Sequence, residues 1–245
     1  MDGTILSLGL FLGATFAAAL VAGLAGFAFG LIAAAIWLHI LTPLQTATLI
    51  VGYGLIVQGY AVWKLRHALS FDRLWPFLLG AAPGVAVGVL VLEWANPATM
   101  RAGIGAVLVL YAIHGLTRPA LPPVHAGALA DTGVGFLNGV LGGMTGLAGI
   151  IVVIWSGLRG WPKDAQRAVF QPIGVATFAM SAIGLGATGT IAIDTLKLFV
   201  LGLPVLLAGT WLGLKLYGRL DEDGFRRVVL LLLLVSGILL IASLR

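Results

Sequence analysis

The sequence contains no cysteine, which excludes disulfides, thiolate metal sites and thiol nucleophiles together. Charge is nearly as scarce: Asp, Glu, Lys and Arg make up 9% of the 245 residues, against about 25% in a soluble domain. The few carboxylates, among them Glu93, Asp131, Asp194 and the run Asp221-Glu222-Asp223, fall near the ends of apolar stretches. No mid-span acid of the kind that carries an intramembrane proton relay is evident. His39, His67, His114 and His125 also lie near such ends, without metal-ligand spacing, and read as interfacial. No HExxH, GxSxG or Walker pattern occurs, so hydrolase and ATPase chemistry have no support, and neither an enzyme nor a cofactor is expected. The segment MDGTILSLGLFLG has no basic n-region, so no cleaved signal peptide is expected.

What is present is apolar. Hydrophobic residues make up 60% of the chain, and the mean hydropathy is +1.09. Runs longer than about 18 residues, each enough to span a bilayer, recur along the whole length. The fold class expected is an all-α polytopic membrane protein. The net charge of +5 sits in clusters at loop ends and reads as an orientation signal, with no nucleic-acid partner implied. Polar punctuation divides the chain into eight blocks, roughly 4–38, 43–63, 74–94, 99–117, 126–158, 167–189, 194–217 and 224–244.

Blocks one and five are longer than one crossing needs, and each carries a glycine cluster in its interior. Gly23, Gly26, Gly30 and Leu31 in VAGLAGFAFGL match Gly139, Gly142, Gly146 and Leu147 in LNGVLGGMTGL at an offset of 116. Gly84 and Gly88 match Gly209 and Gly213 at 125, and Asn96, Met100 and Arg101 align with Asp221, Phe225 and Arg226. The series implies two repeats of roughly 120 residues, 1–120 and 121–245, within a single membrane domain. For Gly84/Gly88 and Gly209/Gly213 close helix packing is the favoured reading. For the clusters in blocks one and five a broken helix is favoured, with the following half-helix starting near Gly30 and Gly146.

Lysine and arginine decide the topology. If every block crosses once, the 14 basic residues split six to eight and give no orientation. If blocks one and five are re-entrant hairpins of two half-helices, eleven of them share one side, opposite only Arg101, Lys197 and Arg245. That is the bias of cytoplasmic loops. Each half then crosses an odd number of times, so the second is inverted: two inverted repeats, each a broken, re-entrant helix pair plus three transmembrane helices. Both termini are expected on the extracytoplasmic side.

Helix starts at a break are anion sites that need no side-chain charge. The turns are expected to bring Gly26, Phe27, Ala28, Phe29 and Gly30 toward Gly142, Gly143, Met144, Thr145 and Gly146 at the midplane. Thr145 is the expected hydroxyl donor, and Phe27 and Phe29 an apolar wall. Gln171, before the helix-kinking Pro172, is a ligand candidate weighed evenly against an interhelical hydrogen-bond partner. Arg167 stands at the mouth of the second repeat's site, where a positive-inside anchor is the slightly favoured alternative.

These features resemble the sulfite exporter TauE/SafE family of permeases over almost the whole chain. The more specific region is GFLNGVLGGMTGLAGIIVVIWSGLRGWPKDAQRAVFQ at 135–171, a GGxTGxxG pattern, an apolar helix and a basic loop ending in Arg-Ala. GLAGFAFGLIAAAIWL is the weaker counterpart; it lacks a following proline, and Ile150 stands where the second copy commonly has one. The resemblance implies transport of small sulfur-containing anions, such as sulfite or an organosulfonate, across an inner membrane. The expected activity is therefore a secondary transporter, with a passive anion channel as the alternative. The expected partners are a small anion and the lipid bilayer; a coupling proton or other ion and a homo-oligomer stay open.

Overall fold

A computed structural model describes residues 2–92, 97–117, 122–145, 149–187 and 192–242. Every block becomes helix, and blocks one and five each become two. The elements are α1 Asp2–Ala25, α2 Phe29–Trp37, α3 Pro43–Lys64, α4 Phe71–Leu92, α5 Pro97–Thr117, α6 Ala128–Thr145, α7 Ile150–Leu158, α8 Lys163–Ala187, α9 Ile193–Tyr217 and α10 Glu222–Ala242. Among the described residues, Leu6–Ala25, Leu44–Lys64 and Ile193–Tyr217 are long and apolar enough to cross a membrane.

The first break follows from local backbone chemistry. Gly26 takes φ 88 and Ala28 takes φ 71, a region that costs an L-residue roughly 1–2 kcal/mol. Two left-handed residues within three positions end α1 and reverse the chain into α2. α3 then starts on a reciprocal cap: Thr42 Oγ1 accepts from the Gln45 N–H, and the Gln45 side chain accepts from the Thr42 N–H.

The second break differs from the expected one. Gly142, Gly143, Met144 and Thr145 continue α6 as its last turn, and the short helix begins at Ile150. Its left-handed N-cap is Gly149, φ 95, so the conformationally special glycine is three residues beyond Gly146, which lies outside the described residues. In block one, Gly30 is the second residue of α2, and the special positions are Gly26 and Ala28. Ala28 and Gly149 are both left-handed N-caps and stand 121 residues apart, where the glycine pattern suggested 116. The broken blocks are also unequal, and block one is not two half-helices: α1 has 24 residues and is long enough to cross a membrane, α6 has 18, and α2 and α7 have nine each.

The chain forms two compact units. Unit 1 holds 1–67 and 174–219; unit 2 holds 68–173 and 220–245. In unit 1, α1 packs along α9 and against α2. A Cβ on Gly23 would lie 2.6 Å from the Thr210 carbonyl oxygen, and one on Gly209 would lie 2.8 Å from that of Phe16. Phe11, Phe29, Trp37, Tyr53 and Phe199 form the unit's aromatic core. Trp37 stacks on Phe11 at 5.3 Å and Tyr53 on Phe199 at 4.9 Å, while Phe29 meets Trp37 and Tyr53 edge-on.

In unit 2, α4 packs along α6 and α5 along α10. Gly80, Gly84 and Gly88 face the backbone of Thr132, Phe136 and Val140, while Gly135 and Gly139 face that of Phe77 and Ala81. Close packing is therefore the role of Gly84, Gly88, Gly209 and Gly213, as expected. It is also the role of Gly23 and Gly139, which were expected to belong to the breaks. Absence of a Cβ there lets two backbones approach, a steric need unrelated to φ.

Block five closes on itself. The Val124 N–H donates to the Leu158 carbonyl at 2.9 Å, and the Asp131 carboxylate at the start of α6 accepts from Trp155 Nε1 at 2.7 Å and Arg159 Nη1 at 2.8 Å. The chain thus enters and leaves this block at one end of unit 2.

Candidate functional site

α7 is nine residues long, a rise of about 14 Å, or half of a roughly 30 Å hydrocarbon core. Its C-terminal end is fastened beside the start of α6, so its N-terminal end lies deep along α6 and α8. One hydrogen bond fixes it there. The Gly149 N–H donates to Asn138 Oδ1 at 3.0 Å, with Asn138 1% exposed. A Cβ built on Gly149 would lie 4.0 Å from the Phe170 carbonyl oxygen of α8. The Val153 N–H then donates to the Gly149 carbonyl at 2.9 Å, the first bond of the helix. The N–H groups of Ile150, Ile151 and Val152 have no acceptor within the helix. They give this end its partial positive charge.

Asn138 was not singled out from the sequence. Its signal is an amide in mid-block beside Gly139; without the fold-back, nothing in the sequence says which N–H it serves. Removing that acceptor would leave a buried N–H unpaired, a cost of about 1–3 kcal/mol.

α8 supplies side chains at the same depth. Arg167 and Gln171 are four residues apart, which puts them on one helix face, and both are 0% exposed. They flank Phe170, the residue that Gly149 approaches. Gln171 Nε2 and Oε1 are buried with no hydrogen-bond partner among the described residues. Pro172, inside α8, has no N–H, so the Ala168 carbonyl loses its usual helical donor. One short stretch thus holds a guanidinium, an uncommitted carboxamide and a helix start. A head group in water is what an anchoring arginine needs, and complete burial of Arg167 gives it none.

Unit 1 repeats this layout with neutral residues. Gly30, in the first turn of α2, would place a Cβ 3.1 Å from Ile50 Cγ2 of α3. Thr46, one turn before Ile50, is 3% exposed, and its Oγ1 has no hydrogen-bond partner among the described residues. Thr46 and Ile50 correspond to Arg167 and Gln171 at the same offset of 121 that relates the two N-caps. Phe27 and Phe29 are each 5% exposed, and Phe29 belongs to the aromatic core. Gly26 forms the turn, and Gly142 is buried in α6. The side chains of Met144 and Thr145 lie outside the described residues, as does Gly146. Among the described residues there is no group of three His, Cys, Asp or Glu side chains suited to a metal.

The family model for the sulfite exporter TauE/SafE matches residues 10–240. The chain belongs to that family. It is therefore a membrane transport protein, a permease, and the match takes in both breaks and, among the described residues, each of the ten helices at least in part. No curated protein and no solved structure matches this TauE/SafE chain. Its residue geometry accordingly comes from the chain itself.

Proposed function

We propose that the protein is a secondary transporter for a small sulfur-containing oxyanion such as sulfite or an organosulfonate. The observation that carries this reading is the complete burial of Arg167 and Gln171 on either side of Phe170, whose carbonyl the left-handed Gly149 approaches. A guanidinium offers a planar fork that matches an oxyanion, the carboxamide adds a neutral donor, and the helix N–H groups add dipole without further charge. Within unit 1, the start of α2, with Gly26 and Gly30, is proposed as a helix-end site of the same kind. Gly142, Gly143, Met144, Thr145 and Gly146, with Phe27 and Phe29, remain proposed as site residues or their support.

Two inverted repeats, 1–120 and 121–245, forming a single membrane domain with six full crossings and two re-entrant pairs, complete the proposal. Duplication is supported by the packing. Exchanging every helix for the one five places along turns the α1–α9 pair into α6–α4, α1–α2 into α6–α7, and α5–α10 into itself. Re-entry is supported by the Val124–Leu158 bond, and cytoplasmic placement of the basic loops by their charge. The proposed location is a bacterial-type inner membrane with both termini outside. Reporter fusions at residues 70 and 220 should report the cytoplasm; an external signal at either overturns this topology.

Transport is tested with labelled sulfite, sulfate and a small alkanesulfonate in proteoliposomes, with and without a proton gradient. Saturable flux that responds to the gradient is expected. A single-channel current with no response to the gradient would establish the anion channel instead.

A further inference from the structure

Unit 2 contains a cavity of about 570 Å³, lined by charged and apolar side chains. It lies where the end of α5, the end of α7, the start of α8 and the start of α10 meet. In a membrane transport protein, the ends of long helices sit at headgroup depth. The first turns of α10 grade from polar to apolar along one wall: Glu222, Asp223 and Arg226 come first, then Val229 and Leu230, which are buried. That is the profile of an amphiphile's binding site, charged at one end and apolar at the other.

Charge narrows the ligand. Arg226 is held in place by Nη2–H donating to the Gly115 carbonyl at 2.9 Å, next to His114, which also lines the cavity. Glu222 and Asp223 stand one helical turn before it, so a cation and two anions share one wall. Glu222 is fixed as well, since its Oε2 accepts from the Lys163 N–H at 2.7 Å. A ligand that satisfies both signs carries a phosphate and an ammonium a few bonds apart. A quaternary ammonium has no N–H for the carboxylates and favours an aromatic face. The face of Trp161, also in the lining, already meets Arg159 at 5.1 Å and Arg73 at 5.8 Å.

We propose that this cavity binds a zwitterionic phospholipid with a primary ammonium, a phosphatidylethanolamine: phosphate against Arg226, ammonium against Glu222 and Asp223, acyl chain along Val229 and Leu230. The inference does not depend on the anion site at α7.

Delipidated full-length protein in detergent is exposed to equimolar phosphatidylethanolamine, phosphatidylcholine and phosphatidylglycerol, and bound lipid is read by native mass spectrometry. Phosphatidylethanolamine should exceed each of the others by about tenfold, the scale of one charge-assisted contact. Arg226→Ala should lower binding of all three. The double variant Glu222→Gln, Asp223→Asn keeps an acceptor for the Lys163 N–H and should bring phosphatidylglycerol level with phosphatidylethanolamine. Equal binding of the three lipids by the wild type, or an unchanged preference in the double variant, overturns the proposal. So does full displacement of the lipid by an equal concentration of glycerophosphoethanolamine, which would assign the cavity to a soluble zwitterion.

Discussion

Arg167→Gln is expected to reduce sulfur-anion flux in proteoliposomes by about 30-fold to several thousand-fold, the effect of removing one member of a desolvated charge pair worth 2–5 kcal/mol. The side chain is 0% exposed on α8, one helical turn from Gln171. In such a site solvent does not screen the attraction, so the loss falls on substrate affinity and on the rate together. Arg167→Lys keeps the charge but not the fork, and flux between that of wild type and Arg167→Gln should follow. Gln171→Leu removes the two buried amide atoms that lack partners. It should leave the protein at least as stable while weakening substrate binding, because those atoms gain nothing from the fold itself. Arg167 variants that stay monodisperse in detergent yet transport within about threefold of wild type would remove Arg167 from the site and restore a purely structural role.

How much of this was legible in the sequence depends on the physical scale of each signal. Helix number and the two broken blocks came from apolar length and charge, which act over twenty residues and tolerate local error. α8 shows the usual boundary error, beginning at Lys163 where the apolar run suggested 167. The position of the second break turned on a single backbone angle. Gly142, Gly143, Gly146 and Gly149 look alike in a sequence, and the left-handed turn that caps α7 uses the last of them. Arg167 and Gln171 each stood out singly as candidates; that both are fully buried on α8 came only with the fold. Asn138 was not, because its partner lies 11 residues away across the fold-back. The Glu222–Arg226 wall was hidden for a related reason. Its residues looked like ordinary loop-end charges until α5 and α10 were seen to pack together.

The glycine pattern itself carries the second large prediction. The glycines of the broken blocks divide into backbone-angle glycines, such as Gly26 and Gly149, and contact glycines, such as Gly23 and Gly139. On α6, a Cβ at Gly139 would lie 2.9 Å from Val85 N and from Ala81 Cα and closer still to the Ala81 carbonyl oxygen. All three atoms are backbone, so no rotamer change can make room, and the α4 and α6 axes must separate. Separation also opens the neighbouring contacts at Gly84 and Gly135, because they belong to the same crossing. Overpacking of a core costs typically about 1–3 kcal/mol when side chains can adjust; Gly139→Leu should exceed that and leave unit 2 unfolded or aggregated in detergent. Gly133 lies on the same helix with nothing within 4 Å of its Cβ position. Gly133→Ala should therefore be neutral or stabilising by up to about 1 kcal/mol, the difference in helix propensity. Thermal unfolding of the two variants beside wild type separates the roles of two glycines six residues apart. A Gly139→Leu protein that melts with wild type would mean the crossing has room to spare, and the packing role of the pattern would fall with it.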